Sequence, residues 1–363
     1  MSPVPRQCLA DLCLIEIGKT PPRGEPRYWG PGHPWMSIAD MSQGSDLVST
    51  KETITTAAVR ERGCRPVSAG TVVMSFKLSV GKVGIVRVSL FTNEAIAAFP
   101  IQDPAKLDSR YLMHALGSLD FRGVGEQAVK GVTLNKDSLA RLRIPVPALS
   151  EQHRIAAMLD KADAVRRKRR DSLLVLDGFL RSAFLDLFGD PARNKNGWQN
   201  QELAKVAAVE RGQFTPRPRN DPQFYGGNKA FIQTGDISGS SGFLTEWRQT
   251  LNDKGAAVSR QFPKGSIAIS IAANIGDTAI VDFDFYCPDS VVAIMPGPEV
   301  LPEYLEFSLR FLKPGLIARA PMTAQRNINL AVLRPLKVPV PPLALQEQFC
   351  SIRLKTLDAS VHL

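Results

Sequence analysis

Hydrophobic and polar residues are grouped in short blocks along most of this chain. The runs TVVMS (71–75), VGIVRVSL (83–90) and SIAISIA (266–272) are rich in β-branched residues and are bounded by Gly, Pro, Asn or Ser. Such runs predict short, half-buried strands and hairpins. Modest helices are predicted at SRYLMHALGSL (109–119) and PEYLEFSLRFL (302–312). The pattern therefore indicates an α+β chain in which short strands dominate.

One segment near the middle of the chain has a helical period instead. After a Pro-x-Pro sequence (145–147), Ser150 is suited to cap a helix, with Glu151 in its first turn. LFGDP (187–191) predicts the end of that helix. Its apolar positions recur at spacings of three and four, interrupted by Arg169, and are Ile155, Met158, Ala162, Val165, Ser172, Leu176, Phe179 and Ala183. The predicted helix has roughly 38 residues and is near 57 Å long at about 1.5 Å per residue.

An apolar seam on so long a helix predicts a partner helix. The Pro-x-Pro hinge suggests which one, because IPVPALSEQHRIAAMLDKAD (144–163) is matched by VPVPPLALQEQF (338–349), 194 residues later. The helix that follows the second hinge is the expected partner. The alternative is a linker helix packed on the core of one domain.

Other segments repeat in the same order as the hinges. GKTPPR (18–23) matches GQFTPRPR (212–219), and GKVGIV (81–86) matches GDTAIV (276–281). A long block repeated twice predicts a duplicated domain. We therefore expect two similar β-rich domains joined by long helices that form an antiparallel coiled-coil-like spacer. The expected segments are a first domain (1–145), a central helix (146–190), a second domain (191–337) and a short C-terminal helix (338–363).

Charge and composition narrow the possible partners. The 363 residues carry a formal net charge of +10, with a pI near 9.5, which favours a polyanion such as nucleic acid. An anionic membrane is less favoured, because no basic amphipathic helix with an aromatic face is evident. The chain has no signal-peptide pattern and no long apolar span, and its five cysteines include no C-x-x-C pair. These features predict a cytoplasmic protein with reduced thiols and without a metal site.

Motifs for catalysis are incomplete. Gly18-Lys19-Thr20 resembles the end of a phosphate-binding loop, but Cys13 stands where that motif needs its first glycine. Gly123-x-Gly125-x-x-Ala128 lacks the preceding strand and following acid of a dinucleotide site. The sequence therefore predicts a chain that is not itself an enzyme.

Loops that combine basic, amide and aromatic side chains suit contacts to phosphates and base edges. They occur as matching sets in the two repeats. The candidate DNA-binding residues of the first repeat are Lys19, Thr20, Arg23, Arg27, Tyr28, Ser75, Lys77, Lys82 and Lys130. Those of the second are Gln213, Thr215, Arg217, Arg219, Tyr225, Asn274, Gln325, Arg326 and Asn327. The basic run 166–170 on the central helix has two interpretations: a solvated helix face, or a contact with nucleic acid or an acidic subunit.

The phrases IPVPALSEQHRI (144–155) and LFGDPARNKNGW (187–198) resemble the most recognisable lines of the specificity subunits of Type I restriction-modification enzymes. The resemblance extends over nearly the whole chain. It implies two target-recognition domains, each reading one half of a split double-stranded DNA target. It also implies helices that dock modification subunits, which methylate adenine, and a restriction (motor/nuclease) subunit that joins them. No cofactor is then expected in this chain, whereas S-adenosylmethionine, ATP and Mg are expected on the partner subunits.

Two features depart from that family pattern. Leu345 stands in the second hinge where the first has Glu151, and the second helix has at most twenty residues (344–363), about 30 Å. Part of the first helix should then extend beyond its partner and pack on the second domain, on a modification subunit or on another copy of this chain; we expect another protein chain. The residues expected to do so are Leu173, Leu176, Phe179, Leu180, Phe184 and Leu187. The alternative function is a non-catalytic, two-module protein-interaction scaffold for an acidic partner.

Overall fold

A computed structural model describes residues 4–121, 126–128, 131–272, 274–319 and 327–361, with the backbone alone for 126–128, 131–133 and 360–361. These residues form two compact units, Met1–Lys168 and Arg169–Leu363. The boundary lies inside one long helix, so that its first half belongs to the first unit and its second half to the second. The four segment boundaries expected from the sequence stay a prediction.

The first unit is built mainly from short strands. They are β1 (Arg6–Cys8), β2 (Glu16–Ile17), β3 (Trp29–Met36), β4 (Asp46–Leu47), β5 (Glu52–Ile54), β6 (Val72–Ser75), β7 (Val83–Val86), β8 (Phe91–Thr92), β9 (Ile96–Phe99), β10 (Glu126–Ala128), β11 (Gly131–Thr133) and β12 (Arg143–Pro145). Its helices are α1 (Thr56–Arg62), α2 (Ser109–Gly117), α3 (Lys136–Arg141) and the first half of α4 (Leu149–Phe188). Short 3-10 helices lie at Leu9–Asp11, Pro26–Tyr28 and Asp40–Gln43.

The main sheet of the first unit has the order β2-β9-β6-β7-β4, and a second sheet has the order β5-β3-β8. Strand β6 is central, and all four of its residues are buried. Val72 and Met74 enter the core that includes α2, whereas Val73 enters a second core. Because successive strand residues point to opposite faces, both faces of this sheet are covered, and an uninterrupted apolar run forms there instead of an alternating one.

The second unit repeats this arrangement. Its strands are β13 (Gln199–Glu202), β14 (Ala207–Arg211), β15 (Tyr225–Phe231), β16 (Phe243–Leu244), β17 (Gln249–Leu251), β18 (Gln261–Phe262), β19 (Ile267–Ser270), β20 (Thr278–Val281), β21 (Phe285–Tyr286), β22 (Val291–Pro296) and β23 (Lys337–Val340). Its helices are the second half of α4, α5 (Leu203–Val206), α6 (Thr234–Ser238), α7 (Asp253–Ala257), α8 (Pro302–Arg319), α9 (Leu330–Leu333) and α10 (Leu343–Val361), with a 3-10 turn at Pro222–Phe224.

Sheet topology confirms the duplication expected from the sequence. The main sheet of the second unit has the order β14-β22-β19-β20-β16, and its second sheet has the order β17-β15-β21-β18. The parallel pairs correspond as well: β4 with β7 and β3 with β8 in the first unit, β16 with β20 and β15 with β21 in the second. The antiparallel strand pairs β1-β12 and β13-β23 join the two ends of each repeat in the same way.

A buried glutamine anchors each Pro-x-Pro hinge. Gln152 is wholly buried; its amide donates to the carbonyls of Lys106 and Pro147 (both 2.9 Å), and its oxygen accepts from the backbone N–H of Asp108 at 3.0 Å. These bonds satisfy backbone groups that would otherwise be buried without partners. Gln152 therefore joins the start of α4 to the loop before α2.

The second hinge has the same device. Gln346 is wholly buried, donates to the carbonyls of Glu299 (3.1 Å) and Pro341 (2.8 Å), and accepts from the N–H of Leu301 at 2.8 Å. A tyrosine hydroxyl adds a further equivalent bond in each unit, from Tyr111 to Pro145 and from Tyr304 to Pro339, both 2.8 Å. The repeated hinge is thus a repeated set of buried hydrogen bonds.

The start of α4 differs from the sequence expectation. The backbone N–H of Gln152 donates to the carbonyl of Ala148, so that Ser150 lies inside the first turn and is not the N-cap. Glu151 in that turn pairs with Arg154 at 2.6 Å, and this hydrogen bond lowers the pKa of its carboxyl. Leu345, its counterpart in the second hinge, packs instead against an apolar cluster.

That cluster joins α4, α8 and α10 within the second unit. Phe184 is wholly buried, and its ring lies 5.1 Å from Phe349, 5.3 Å from Phe307 and 5.7 Å from Tyr304, centroid to centroid. Ala359 and the 171–176 segment of α4 line the same open cavity. The start of α10 therefore meets the end of α4, and the two helices run antiparallel.

The expectation for the docking residues is corrected by this arrangement. Leu180 and Phe184 are buried inside the chain and Leu187 packs against the same cluster. Leu176 is half-buried, and Leu173 and Phe179 are exposed. Because the partner helix begins beside the end of α4, the uncovered apolar positions lie mostly further upstream. The seam expected at Met158, Val165 and Phe179 is exposed as well: these side chains retain 55%, 57% and 53% of their accessible surface. No helix in the described part of the chain is long and apolar enough to span a membrane.

Candidate nucleic-acid interface

The side chain of Arg23, in the first predicted loop, is held by several contacts within the chain. Its guanidinium lies 3.9 Å from the ring centroid of Trp29 and 4.9 Å from that of Trp35, and its Nη2 donates to Glu52 at 3.0 Å. Hydrogen bonding to Glu52 raises the pKa of Arg23. This side chain is therefore held by two aromatic rings and a carboxylate before any ligand arrives.

The neighbouring Arg27 and Tyr28 form a second internal group. Arg27 donates to the Tyr28 hydroxyl at 2.8 Å and lies 3.2 Å from Glu61, to which that hydroxyl donates at 2.9 Å. Tyr28 is buried, so the expectation that it meets DNA is corrected: its ring belongs to an apolar core. Lys19 is exposed, and Thr20 donates to Glu94.

The loop between β6 and β7 is closed by Ser75. Its hydroxyl donates to the carbonyl of Ser79 and accepts from the N–H of Lys82 at 3.1 Å, and the side chain is wholly buried. Ser75 therefore shapes this loop and cannot contact DNA, which corrects a second expectation. The Lys82 ammonium donates to the Ser42 hydroxyl at 2.8 Å, and half-buried Lys77 lies 5.3 Å from the ring centroid of Phe76.

The equivalent loop of the second unit has the same closure. Ser270 donates to the carbonyl of Asn274, and the Asn274 amide donates to the Ser238 hydroxyl at 2.9 Å. Asn327 is exposed and pairs with Ala272 as an isolated β-bridge. The other residues expected here, Lys130, Gln325 and Arg326, lie outside the described residues.

Two arginines of the second unit share one carboxylate. Arg219 lies 2.5 Å from Asp289 and Arg217 lies 3.9 Å from it, and Arg217 also donates to the carbonyl of Pro216 at 2.8 Å. Gln213 and Thr215 are exposed on the same loop. The Tyr225 hydroxyl donates to the carbonyl of Arg219 at 2.5 Å, and burial raises the pKa of that hydroxyl. The loop thus presents cations and amides on an aromatic base.

The ion pairs that hold these arginines lie near the surface. Arg23 and Glu52 retain 54% and 40% of their side-chain surface, and Arg219 and Asp289 retain 47% and 36%. Exposed pairs of this kind contribute about 0–1 kcal/mol and weaken in salt. A phosphate could therefore replace the carboxylate at little cost. The basic run 166–170 is exposed too, with Arg166 lying 3.9 Å from Asp163.

Sequence reasoning found Tyr225 but missed the other residues of the aromatic floor beneath both loops. Trp29 and Trp35 form it in the first unit, where their rings meet edge to face at 5.0 Å. In the second unit Phe214, Tyr225 and Phe231 form it, with ring centroids 5.1–6.0 Å apart. The signal in the sequence was the matching spacing of aromatic residues near the two ends of β3 and β15, Trp29 and Trp35 against Tyr225 and Phe231. Among the described residues, no group of three His, Cys, Asp or Glu side chains could hold a metal ion.

The model of the Type I restriction modification DNA specificity domain matches this chain twice, over residues 2–173 and 195–363. The chain is similar to the Type I restriction enzyme MjaIX specificity subunit of Methanocaldococcus jannaschii, with 24% identity over 58% of this chain and 52% of that protein. It is also similar to the EcoR124I/EcoR124II specificity subunit of Escherichia coli, with 28% identity over 44% and 42%. The match spans about half the length of these curated relatives.

Solved structures share the fold. A Type-I restriction-modification S subunit from M. genitalium superposes with a TM-score of 0.61 at 14% identity, covering 100% of this chain and 92% of that one. A chain from a structure that describes complex assembly and conformational transition of the type I R-M system gives 0.51 at 17% identity, covering 100% and 94%. With both repeats matched by the family model, the chain belongs to the family of Type I restriction-modification DNA specificity domains.

Proposed function

We propose that this chain is the specificity subunit of a Type I restriction-modification system and that each unit reads one half of a bipartite DNA target. The observation that carries the proposal is the presence of equivalent loops with basic side chains on aromatic floors, one set in each of two repeated units. Family membership and the names of the similar proteins support it. Arginine and amide side chains are the common readers of base edges, while lysines position the phosphates.

The partners follow from the same proposal. Modification subunits would methylate adenine with S-adenosylmethionine, and a restriction subunit would use ATP and Mg, so that this chain directs the chemistry without catalysing it. Support comes from the exposed apolar side chains of α4, since apolar surface left in water favours contact with another protein. Such a complex would act on DNA in the cytoplasm. The 40-residue α4, about 60 Å long, would set the spacing between the two half-sites.

Salt and competitor DNA distinguish this function from binding of any acidic partner. We expect affinity for host DNA fragments to fall steeply as salt rises, since each phosphate contact releases counterions. A sequence preference should persist in excess competitor DNA. Fluorescence anisotropy of labelled fragments measures both.

A matched pair of triple variants provides the control. Lys19, Arg23 and Lys77 replaced by Ala should weaken specific binding, since one bidentate base contact is worth about 1–3 kcal/mol. Replacement of Lys106, Lys136 and Arg141, which are exposed outside these loops, removes the same charge and should change binding far less. Equal losses in the two variants, or equal affinity for DNA and an acidic polypeptide, would contradict the proposal.

A further inference from the structure

The second unit contains an open cavity of about 390 Å³ beside its predicted reading loop. Phe214, Tyr225 and Phe231 line its apolar side, and Gln233 and Gln249 line its polar rim. Its volume falls at the low end of the range of about 300–1,000 Å³ for pockets that bind small molecules. The lining suits a flat ring with hydrogen-bonding groups at its edge.

Strand register places the corresponding site in the first unit. Trp35 pairs in parallel with Phe91 and lies opposite Glu52. Phe231 pairs in parallel with Tyr286 and lies opposite Gln249. Trp35 therefore corresponds to Phe231, and Glu52 to Gln249.

In the first unit the chain fills this site with its own Arg23. Its planar guanidinium lies 3.9 Å from the ring centroid of Trp29 and 4.9 Å from that of Trp35, and its edge donates a hydrogen bond to Glu52. The site thus accepts a flat, edge-bonded group, and here the chain itself supplies it.

In the second unit the corresponding arginine points elsewhere. Arg219 stands six residues before Tyr225, as Arg23 stands six before Trp29, but it pairs with Asp289 at 2.5 Å. The carboxylate that would favour a cation is replaced by the neutral amide of Gln249. The oxygen of that amide accepts from Gln233 at 2.5 Å, and its N–H groups have no partner among the described residues. A neutral, flat acceptor therefore fits this site better than a guanidinium.

We propose that this cavity takes up one unstacked nucleobase of the DNA that the second unit reads, an inference that rests on the proposed function. The half-buried ring of Tyr225, packed on the buried rings of Phe214 and Phe231, is the aromatic surface on which a base can stack, and the Gln249 amide can bond to the edge of that base. The exposed guanidinium of Arg219, at the rim of the same cavity, is placed to pair with a phosphate of that nucleotide. The first unit takes up no base, because Arg23 occupies its site.

DNA that contains a single abasic site tests the inference. Once the target is mapped, each base pair is disrupted in turn by an abasic site in the opposite strand, and binding to the full chain is measured. Unpairing a base that must leave the stack removes part of the cost of extruding it. We expect at least fivefold tighter binding at one position of the second half-site, weaker or unchanged binding at the other positions, and no tightening anywhere in the first half-site.

Variants assign that effect to the cavity. The double variant Gln233→Ala/Gln249→Ala, and separately Gln249→Glu, should lose the tightening, whereas Gln261→Ala on neighbouring β18 should keep it. Overturning results are tightening at no position, tightening that survives both cavity variants, or cavity variants that weaken only the binding of a modification subunit. Failure of the chain to bind any specific DNA would instead overturn the proposed function, and with it this inference.

Discussion

The two units share their buried scaffold but differ at the surface. Gln152 and Gln346 make the same three hydrogen bonds in their hinges, and the strand order of the main sheets is identical. The aromatic sites beside the reading loops are opposite: Arg23 fills the first, and the second is open. Loss of a buried hydrogen bond of Gln152 or Gln346 destabilises the hinge, whereas an exposed ion pair contributes little to stability. Duplicated reading domains can therefore diverge in what they bind while they keep one fold.

The largest expected effect concerns the aromatic cluster that joins α4, α8 and α10 in the second unit. Phe184→Ala removes a wholly buried ring packed against Phe307, Phe311 and Phe349, and should destabilise the chain by about 3–5 kcal/mol. Phe179→Ala, five residues earlier on the same helix and 53% exposed, should cost well under 1 kcal/mol. Chemical denaturation measures both. Similar losses for the two variants would show that α4 packs with another register.

The shared scaffold gives the next effect. Gln152→Ala and Gln346→Ala each leave two carbonyls and one N–H without their buried partner, so each should destabilise its unit by about 2–4 kcal/mol. Gln348→Ala, at an exposed position of α10, is the control and should be nearly neutral. Hydrogen exchange resolves the two units separately. A large loss in one unit and none in the other would break the equivalence of the hinges.

The smallest effect concerns the filled aromatic site. Glu52→Gln gives the first unit the neutral amide that the second has at Gln249, and removes an exposed pair with Arg23. Stability should fall by about 0–1 kcal/mol. Glu25→Gln, in the loop that carries Arg23 and 55% exposed, controls for loss of charge. If the substitution releases Arg23, an abasic site in the opposite strand should tighten binding at one position of the first half-site. If binding there does not change, Trp29 and Trp35 hold the arginine without Glu52.

The two-domain architecture could be predicted from the sequence because the same motifs, including the Pro-x-Pro hinges, occur twice in the same order. It was sufficient for the strands because runs such as VVMS in β6 are apolar on both faces. It was insufficient for Tyr28 and Ser75, since a polar or aromatic loop residue can face either the core or solvent, and local pattern does not say which. The six expected docking residues were partly wrong for a related reason: the spacing of apolar residues on α4 does not reveal where its antiparallel partner begins.

The aromatic sites were missed because their parts are far apart in the chain. Trp35 meets Glu52 across a strand pair, and Arg23 reaches both from a loop. Only the register of β3 with β5 brings these three residues together. The same register in the second unit places Gln249 opposite Phe231.

Selection of bound sequences tests whether the two units read separate halves of one DNA target. The chain, together with its modification subunits, is presented with random DNA, and the enriched sequences are read for the wild type and for two triple variants. One variant replaces Lys19, Arg23 and Lys77 with Ala in the first unit, and the other replaces Gln213, Arg217 and Arg219 in the second. We expect a bipartite target in which each variant relaxes one half and leaves the preference at the other half unchanged. A single undivided target, or relaxation of both halves by either variant, would contradict it.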